Sequence, residues 1–374
     1  MTLDKERDAR LRESMVALDA VLAYRIEEVV LTTGECPHLG VTLCLYPRTG
    51  TPFVYTKPSE PPDLAPAYMT KRLYSSLDEL KTLIAADLAA LSLNRVGYSM
   101  EAGQHSLPGN VAEFPPLTTS QIAALLGDHG VPTNFFAQQL MHKTEYDIQK
   151  LLLTNQMAAV GIRRFFELLQ PGRTEAEICG EIESAIHAQT GKHGCKLSRG
   201  WASVQAAHNT FNAGGASRSS GYVLKSGDMV LLELGTMVDG YWSDLTRTTV
   251  VGTPNASQIA LMSAARASQR AALDTIRAGA TYRAVDAAAH EAMNASGFGE
   301  GFTHATGHHV GFRYHDYGDA MTQSSTAILE AGNAITVEPG SYGEKFGGGC
   351  RYEDNVVVTE TGFRFLSPYE LIGA

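Results

Sequence analysis

The sequence predicts an α/β protein built from two domains. Its 374 residues exceed what a single compact core usually organises, so length alone favours two domains. Short apolar runs alternate with turn clusters in the first part of the chain, and a long amphipathic stretch opens near residue 144. We therefore expect an N-terminal α/β domain over 1–140 and a second α/β domain over 141–374.

The N-terminal domain contains patterns typical of both strands and helices. Helical spacing of apolar residues predicts helices around 72–95 and 119–128. No cluster of ionisable residues stands out in this part of the sequence, so we look for chemistry in the second domain. The predicted strands are the apolar runs 29–31, 41–45 and 53–55.

The second domain carries a faint internal repeat. The segment 171–178 is echoed by 278–285, and each has a turn glycine, a threonine suited to helix capping and a helical pattern. Gly-x-Thr is also a common helix start, so chance remains an alternative explanation. Strand-like runs follow the helix of each half. They are 229–234 and 246–251 in the first half, and 334–337 and 355–359 in the second.

Composition limits the partners and the compartment. The net charge of −10 argues against binding to nucleic acid or to an anionic membrane, and favours a peptide or another small molecule. Five scattered cysteines without a Cys-x-x-Cys pair predict neither a disulfide framework nor a cysteine metal site. The charged first residues and the lack of an apolar run of about 20 residues lead us to expect a cytoplasmic protein.

Acidic residues inside apolar strands are the most informative feature. Glu233 and Glu338 stand where aliphatic residues are expected, and an ionised carboxylate in a dry interior costs several kcal/mol unless something compensates its charge. Asp244 and Glu353 bring the number of such acids to four, and His308 adds a neutral nitrogen. Four carboxylates balance two divalent cations, which describes a two-metal hydrolytic site.

Each of these residues also has a simpler interpretation. A single strand glutamate is more often in a salt bridge, Asp244 next to Arg247 suggests an ion pair, and His308 alone suggests a hydrogen-bonded core histidine. The joint pattern favours a metal site, because Glu233 and Asp244 are spaced as a hairpin requires and glycine-flanked His308 precedes two further acids.

Five segments of the second domain resemble the pita-bread peptidases, which include Xaa-Pro aminopeptidase, prolidase and methionine aminopeptidase, with creatinase as a metal-free relative. The segment 34–60 resembles the creatinase-type N-terminal domain. The resemblance implies a creatinase-like domain followed by a pita-bread domain, whose curved antiparallel sheet holds the site between two pseudo-repeated halves. The five segments are 231–235, 239–248, 303–311 with 315–316, 337–342 and 350–355.

The resemblance also implies roles for individual residues. Glu338 would act as the proton shuttle, His315 would donate to the oxyanion, and His304 would line the substrate pocket. Arg351 would hold Glu353 or reach a substrate carboxylate. Two divalent ions of Mn, Fe, Co or Zn and a homodimer are implied as well. The implied metal ligands are Glu233, Asp244, His308, Glu338 and Glu353, with Asp244 and Glu353 bridging both ions.

Two departures from the family pattern stand out. Glu233 occupies a position where the peptidases have Asp, which leaves open whether one or two ions bind. The substrate histidine expected upstream falls near 214–216, where the sequence has no histidine, and an insertion would let His208 take its place.

These observations leave three functions open. The leading hypothesis is a metal-dependent hydrolase of Xaa-Pro peptidase type, which cleaves an amide bond with a hydroxide that bridges two metals. A non-peptidase on the same fold is the alternative, hydrolysing a C–N bond as creatinase and ectoine hydrolase do, or acting as a metal-assisted lyase on a compound such as dimethylsulfoniopropionate. A catalytically silent binding module is the third and least favoured reading, because none of the ligand positions is lost.

Overall fold

The computed structural model divides the chain into two compact units. The first is Met1–Thr144 and the second is Glu145–Ala374. The residues that the structure describes are 4–39, 41–100, 117–214 and 218–367.

The first unit contains a six-stranded mixed sheet with the order β4-β3-β2-β1-β5-β6. The pairs β1/β2 and β2/β3 are antiparallel, whereas β3/β4, β1/β5 and β5/β6 are parallel. The strands are β1 (Ala20–Ala23), β2 (Leu43–Pro47), β3 (Phe53–Thr56), β4 (Thr70–Leu73), β5 (Val96–Ser99) and β6 (Gly130–Thr133).

The helices of this unit correct two predictions. The run 29–31 lies in a helix and not in a strand. Six of the eight residues of this helix are buried, and a continuous apolar run in the sequence looks the same for a buried helix and a buried strand. The helix predicted from residue 72 begins only at Leu77, since Thr70–Leu73 pairs with β3. The helices are α1 (Lys5–Ser14), α2 (Ile26–Thr33), α3 (Leu77–Leu91), α4 (Thr119–Leu126) and α5 (Phe135–Met141).

The second unit pairs helices with short antiparallel sheets. The sheet β7-β8-β9 follows two of its helices, and the sheets β10-β13-β14 and β11-β12 follow the other two. Its helices are α6 (Glu145–Leu168), α7 (Glu175–His187), α8 (Ala256–Thr275) and α9 (Tyr282–Ala295). Its strands are β7 (Ser198–Ala206), β8 (Met229–Val238), β9 (Tyr241–Val250), β10 (Ala334–Val337), β11 (Gly340–Gly343), β12 (Gly348–Arg351), β13 (Asp354–Val358) and β14 (Phe363–Phe365).

The internal repeat has a structural counterpart. Thr174 caps α7 and Thr281 caps α9, and each forms an isolated antiparallel bridge, to Val223 and to Ile328 respectively. The turn glycine two residues before each threonine has a positive φ, 95° in the first half and 84° in the second. The same local geometry therefore recurs at both positions of the sequence match.

The described residues contain neither a membrane-spanning helix nor a disulfide bond. Among the described residues there is no helix whose length and apolar character would suit a membrane crossing. All five cysteines lie within the described ranges, where they are buried and form no disulfide bond.

Candidate metal centre

The β8–β9 hairpin places the first two predicted acids on one face. Glu233 pairs with Thr246, and Gly235 pairs with Asp244. Side chains two residues apart in a strand share a face, so Glu233, Asp244 and Thr246 project to the same side of the hairpin. Asn355 holds the second acid in place, because the backbone N–H of Asp244 donates to its Oδ1 at 3.1 Å and its Nδ2 donates to the carbonyl of Asp244 at 2.7 Å.

The other two acids lie just outside strand ends. Glu338 directly follows β10, and Glu353 stands between β12 and β13. The backbone N–H of Glu338 donates to the carbonyl of Thr306 at 2.8 Å, and that of Glu353 donates to the carbonyl of Thr246 at 3.2 Å. The second bond fixes Glu353 against the hairpin, and the first fixes Glu338 against the segment that carries His308.

His308 has a defined tautomer. Its Nδ1 lies 2.8 Å from the carbonyl oxygen of His309, which can only accept, so Nδ1 carries the proton. In the neutral imidazole Nε2 then carries the lone pair, and this atom lies 3.4 Å from Oδ2 of Asp244 and 3.4 Å from Oε1 of Glu338. A lone pair facing two carboxylate oxygens is the arrangement expected around a cation.

The predicted ligands converge in space. Three groups of side chains each bring one ligand atom per residue to within 4.8 Å of one another. All five residues predicted as ligands take part, and His315 joins the group of Asp244 and His308. The groups are Asp244, His308 and His315; His308, Glu338 and Glu353; and Glu233, Asp244 and Glu353.

Two buried oxygens in this cluster are unsatisfied. Oδ1 of Asp244 and Oε1 of Glu353 have no hydrogen-bond partner within the described part of the chain. Burial, together with the charges of Glu233 and Glu338, raises the pKa of Asp244 well above its usual range, and burial and neighbouring acids do the same for Glu353. Divalent cations would ligate these oxygens and remove the repulsion, so the residues present fit a metal centre.

Glu233 differs from the other acids because it is surrounded by donors. Arg351 and Thr246 both contact its Oε2, and the hydroxyl of Tyr314 donates to its Oε1 at 2.6 Å. Burial opposes its ionisation, but Arg351 and the hydrogen bonds outweigh burial and hold its pKa at about 2. The resemblance implied that Arg351 holds Glu353 or reaches a substrate carboxylate; in the structure its guanidinium pairs with Glu233.

Arg351 also connects the cluster to His304. Its Nη1 donates to the hydroxyl of Tyr342 at 2.8 Å, and that hydroxyl lies 2.9 Å from Nε2 of His304. Since Nδ1 of His304 donates to the carbonyl of Ala305, the proton of Tyr342 goes to Nε2. The imidazole is thereby fixed in one orientation at the edge of the cluster, and burial lowers its pKa.

His315 lies beside the ligands and is more open to solvent. Its Nε2 is 4.0 Å from Oδ2 of Asp244, and its ring centroid is 4.0 Å from that of His308. Desolvation on the packed side of the ring and the neighbouring His308 lower its pKa, which favours the neutral imidazole. A neutral ring retains one N–H that can donate to a developing oxyanion.

Three residues of the site were not singled out from the sequence. Thr246 was found only as part of a strand, although the Asp239-Gly240 turn fixes the hairpin register that places it opposite Glu233. Tyr342 and Tyr314 gave no signal, because nothing in their local sequence shows which distant side chain a phenol contacts. Their contacts with Glu233 and Arg351 form only in the folded unit, where β8, β11 and the loop before His315 come together.

Two places are in question for the upstream substrate histidine, 214–216 and His208. Its expected place near 214–216 lies almost entirely outside the described residues. His208 lies in a short 3-10 turn after β7, where its ring packs edge-on against Tyr222 with centroids 5.3 Å apart. In the described structure it belongs to none of the three ligand groups.

The fold and this donor set, four carboxylates and one imidazole, point to a metalloprotein that binds divalent cations. The sequence model of metallopeptidase family M24 matches residues 149–360, which is more than half of the chain. The chain therefore belongs to this family, and membership implies a divalent metal cofactor.

Individual relatives are similar to the chain over different spans. An Xaa-Pro dipeptidase of Lactobacillus helveticus is 32% identical over 233 residues, which cover 62% of this chain but only 61% of that protein. A probable dipeptidase PepE of Mycobacterium tuberculosis is 31% identical over 336 residues, covering 82% of each. The chain thus matches less than two thirds of the length of the Lactobacillus protein.

Solved structures share the fold along nearly the whole chain. The Xaa-Pro dipeptidase from Bacillus anthracis superposes with a TM-score of 0.80 at 24% identity, covering 97% of both chains. The dipeptidase PepE from Mycobacterium ulcerans gives a TM-score of 0.70 at 26% identity, covering 98% of this chain and 97% of that one. The predicted α/β pita-bread fold is therefore confirmed.

Proposed function

We propose that this protein is a metal-dependent peptidase that cleaves Xaa-Pro bonds. The observation that carries the proposal is the convergence of four acids and one histidine with two unsatisfied carboxylate oxygens. The names of similar proteins, Xaa-Pro dipeptidase among them, support the choice of substrate.

The proposed ligands would hold two divalent ions of Mn, Fe(II), Co or Zn. Asp244 and Glu353 are the proposed bridging ligands, because each has a buried oxygen with no hydrogen-bond partner. Bound divalent ions supply Lewis acidity, which polarises a carbonyl and makes water a better nucleophile. The full proposed set is Glu233, Asp244, His308, Glu338 and Glu353.

Residues around the ligands would handle the proton and the substrate. Glu338 is the proposed proton shuttle, since its side chain is 15% exposed and its Oε1 lies beside His308. His315, with its side chain 47% exposed, would donate to the oxyanion. His304 would face the substrate in the orientation that Tyr342 fixes, and Arg351 would hold Glu233 and that tyrosine together.

The test begins with metal analysis of the purified protein. EDTA treatment followed by addition of Mn²⁺, Co²⁺ or Zn²⁺ is expected to abolish and then restore hydrolysis of Xaa-Pro dipeptides and tripeptides. Glu338→Gln is expected to reduce kcat by about 10²- to 10⁴-fold, the range for loss of a general acid–base group. Glu344→Gln, which alters an exposed acid in a short turn after β11, serves as the control.

Two results would contradict the proposal. The first is abundant bound metal without turnover of any peptide in the panel. The second is turnover restricted to small zwitterions of the creatine, ectoine or sulfonium type, which would identify a non-peptidase member of the fold.

We also propose that Glu145–Ala374 is the catalytic unit and that the chain forms a homodimer. All proposed site residues lie in that unit, which supports the first part. The family resemblance supports the second. Light scattering of the full chain measures the mass in solution, and the mass of a single chain would contradict the dimer.

A further inference from the structure

Tyr314 places a phenol hydroxyl inside the candidate metal centre. Its Oη donates to Oε1 of Glu233 at 2.6 Å, and both side chains are buried. The ring is held edge-on by Trp201 and Trp242, at centroid distances of 5.8 and 6.2 Å, and His315 stacks on it at 5.0 Å. A ring enclosed on several sides has little freedom to move its hydroxyl away.

Gly235 makes room for this ring. A methyl group at that position would lie 2.8 Å from the Tyr314 ring, closer than real Cβ contacts allow. The backbone of β8 therefore approaches the tyrosine directly, two residues from Glu233. The ring position and the glutamate position are set by the same strand.

The oxygens of Glu233 are nearly all in use. A carboxylate offers about four lone-pair positions. Arg351 donates to Oε2, and the single hydroxyl proton of Thr246 lies within reach of that oxygen and of Oε2 of Glu353. Tyr314 donates to Oε1. One lone pair of Oε1 is left for a metal.

We propose that Tyr314 is a positioning residue of the metal centre: its hydroxyl orients Oε1 of Glu233 so that this carboxylate, longer than the aspartate expected there, binds one metal ion through a single oxygen. The inference rests on the proposed metal centre and adds a residue to it. It explains how a glutamate serves at this position, because the extra methylene is accommodated by a donor that holds the far end of the side chain.

The test is calorimetric titration of Mn²⁺ into the full-length protein after removal of metal with EDTA. Tyr314→Phe is expected to weaken binding of one ion by about 10-fold or more, as loss of a hydrogen bond to a ligand typically does, and to leave the other ion unaffected. In a Glu233→Asp background the same substitution is expected to have a much smaller effect, because the carboxylate is then one methylene farther from the hydroxyl. A merely structural role of the tyrosine would weaken binding equally in both backgrounds.

Two more variants complete the design. Tyr222→Phe is the matched control: the Tyr222 hydroxyl donates to the carboxylate of Asp228 at 3.0 Å, outside the metal centre. This variant is expected to leave the affinities for both metal ions unchanged. Gly235→Ala displaces the Tyr314 ring without removing its hydroxyl, and is expected to reproduce the weaker binding if Tyr314→Phe does not fold.

The outcomes separate this inference from the proposed function. Wild-type protein that binds no divalent ion would overturn the metal centre and the role of Tyr314 with it. Metal binding by the wild type, with affinities unchanged in Tyr314→Phe or reduced equally in both backgrounds, would overturn the role of Tyr314 alone.

Discussion

The guanidinium of Arg247 donates to Oδ1 of Asp354 at 2.7 Å, and both side chains are fully buried. The same guanidinium donates to the backbone carbonyls of Thr246 at 2.9 Å and Glu353 at 2.6 Å. Gln269 approaches the other oxygen of Asp354 at 3.0 Å. This ion pair thus ties together the two backbone segments that carry Asp244 and Glu353.

Removing one partner of this pair is expected to destabilise the protein strongly. Asp354→Leu leaves Arg247 as an uncompensated buried charge, which typically costs about 3–5 kcal/mol. The double substitution Arg247→Met/Asp354→Leu is expected to recover much of that loss, because an apolar pair of similar volume is often tolerated. Urea unfolding of the metal-free proteins measures the free energy of unfolding of the single and the double variant. Equal stability of the single variant and the wild type would contradict the prediction.

The double variant is also expected to bind metal less tightly than the wild type. Even if its stability is restored, the double variant lacks the hydrogen bonds from Arg247 to the carbonyls of Thr246 and Glu353. These bonds position Glu353, a proposed bridging ligand. Calorimetric titration with Mn²⁺ checks this. Wild-type affinity in the double variant would show that the pair contributes to folding only.

Asp244→Asn is expected to have opposite effects on the metal-free and metal-loaded protein. The pKa of Asp244 is raised by burial and by neighbouring acids, so replacing its carboxyl with an amide relieves repulsion and raises the Tm of the metal-free form. Mn²⁺ at 100 times its Kd stabilises the wild type by about 2.7 kcal/mol, and the variant is expected to lose that gain. Thermal unfolding with and without Mn²⁺ measures both effects.

Asp228→Asn is the charge-matched control for that experiment. Asp228 accepts from Tyr222 and from the backbone N–H of Lys225, away from the ligand groups. It is expected to keep the full stabilisation by Mn²⁺. A metal-free Asp244→Asn protein less stable than the wild type would contradict the repulsion argument.

Glu28 is expected to make the stability of the first unit depend on pH. Burial and the charge of Glu27 raise its pKa from 4.5 to about 7. A carboxyl with a raised pKa in the folded state stabilises the fold fully below pH 4.5, and this contribution is lost as the pH rises through 7. The shift corresponds to about 3 kcal/mol at most.

Glu28→Gln is therefore expected to gain stability over the wild type as the pH rises from 5 to 8. The amide oxygen can still accept from the backbone N–H groups of Tyr24 and Arg25. Urea unfolding of the full chain, followed by hydrogen exchange of α2, measures the difference between the two proteins at each pH. Glu13→Gln, at an exposed position of α1, is the control, and equal pH profiles for Glu28→Gln and wild type would contradict the prediction.

Two helical glycines are expected to respond oppositely to alanine. A methyl group at Gly161 in α6 would lie 2.8 Å from Ile186 and 3.0 Å from Leu234, so Gly161→Ala forces repacking and costs about 1–3 kcal/mol. Gly180 in α7 has open space around it, so Gly180→Ala is expected to stabilise the helix by up to about 1 kcal/mol. Thermal unfolding distinguishes them, and a stabilising Gly161→Ala would show that α6 shifts freely.

Local patterns predicted the elements of the second unit better than those of the first. The apolar runs 229–234 and 334–337 are strands, and the repeated Gly-x-Thr starts do cap helices. In the first unit, the apolar run 29–31 predicts a strand but lies in α2. Six of the eight residues of α2 are buried, so its apolar residues do not recur at helical spacing. Residues 70–73 form a strand only because β3 is there to pair with them.

The sequence by itself indicated the fold class, the repeated helix starts of the second unit, and the acids and histidines that the structure brings together. Those features depend on residue types at short spacings, which a strand or hairpin translates directly into position. Only the tertiary structure decided how the donors around Glu233 are distributed. Arg351, Thr246 and Tyr314 come from separate segments, and no local pattern specifies which distant carboxylate oxygen each one contacts.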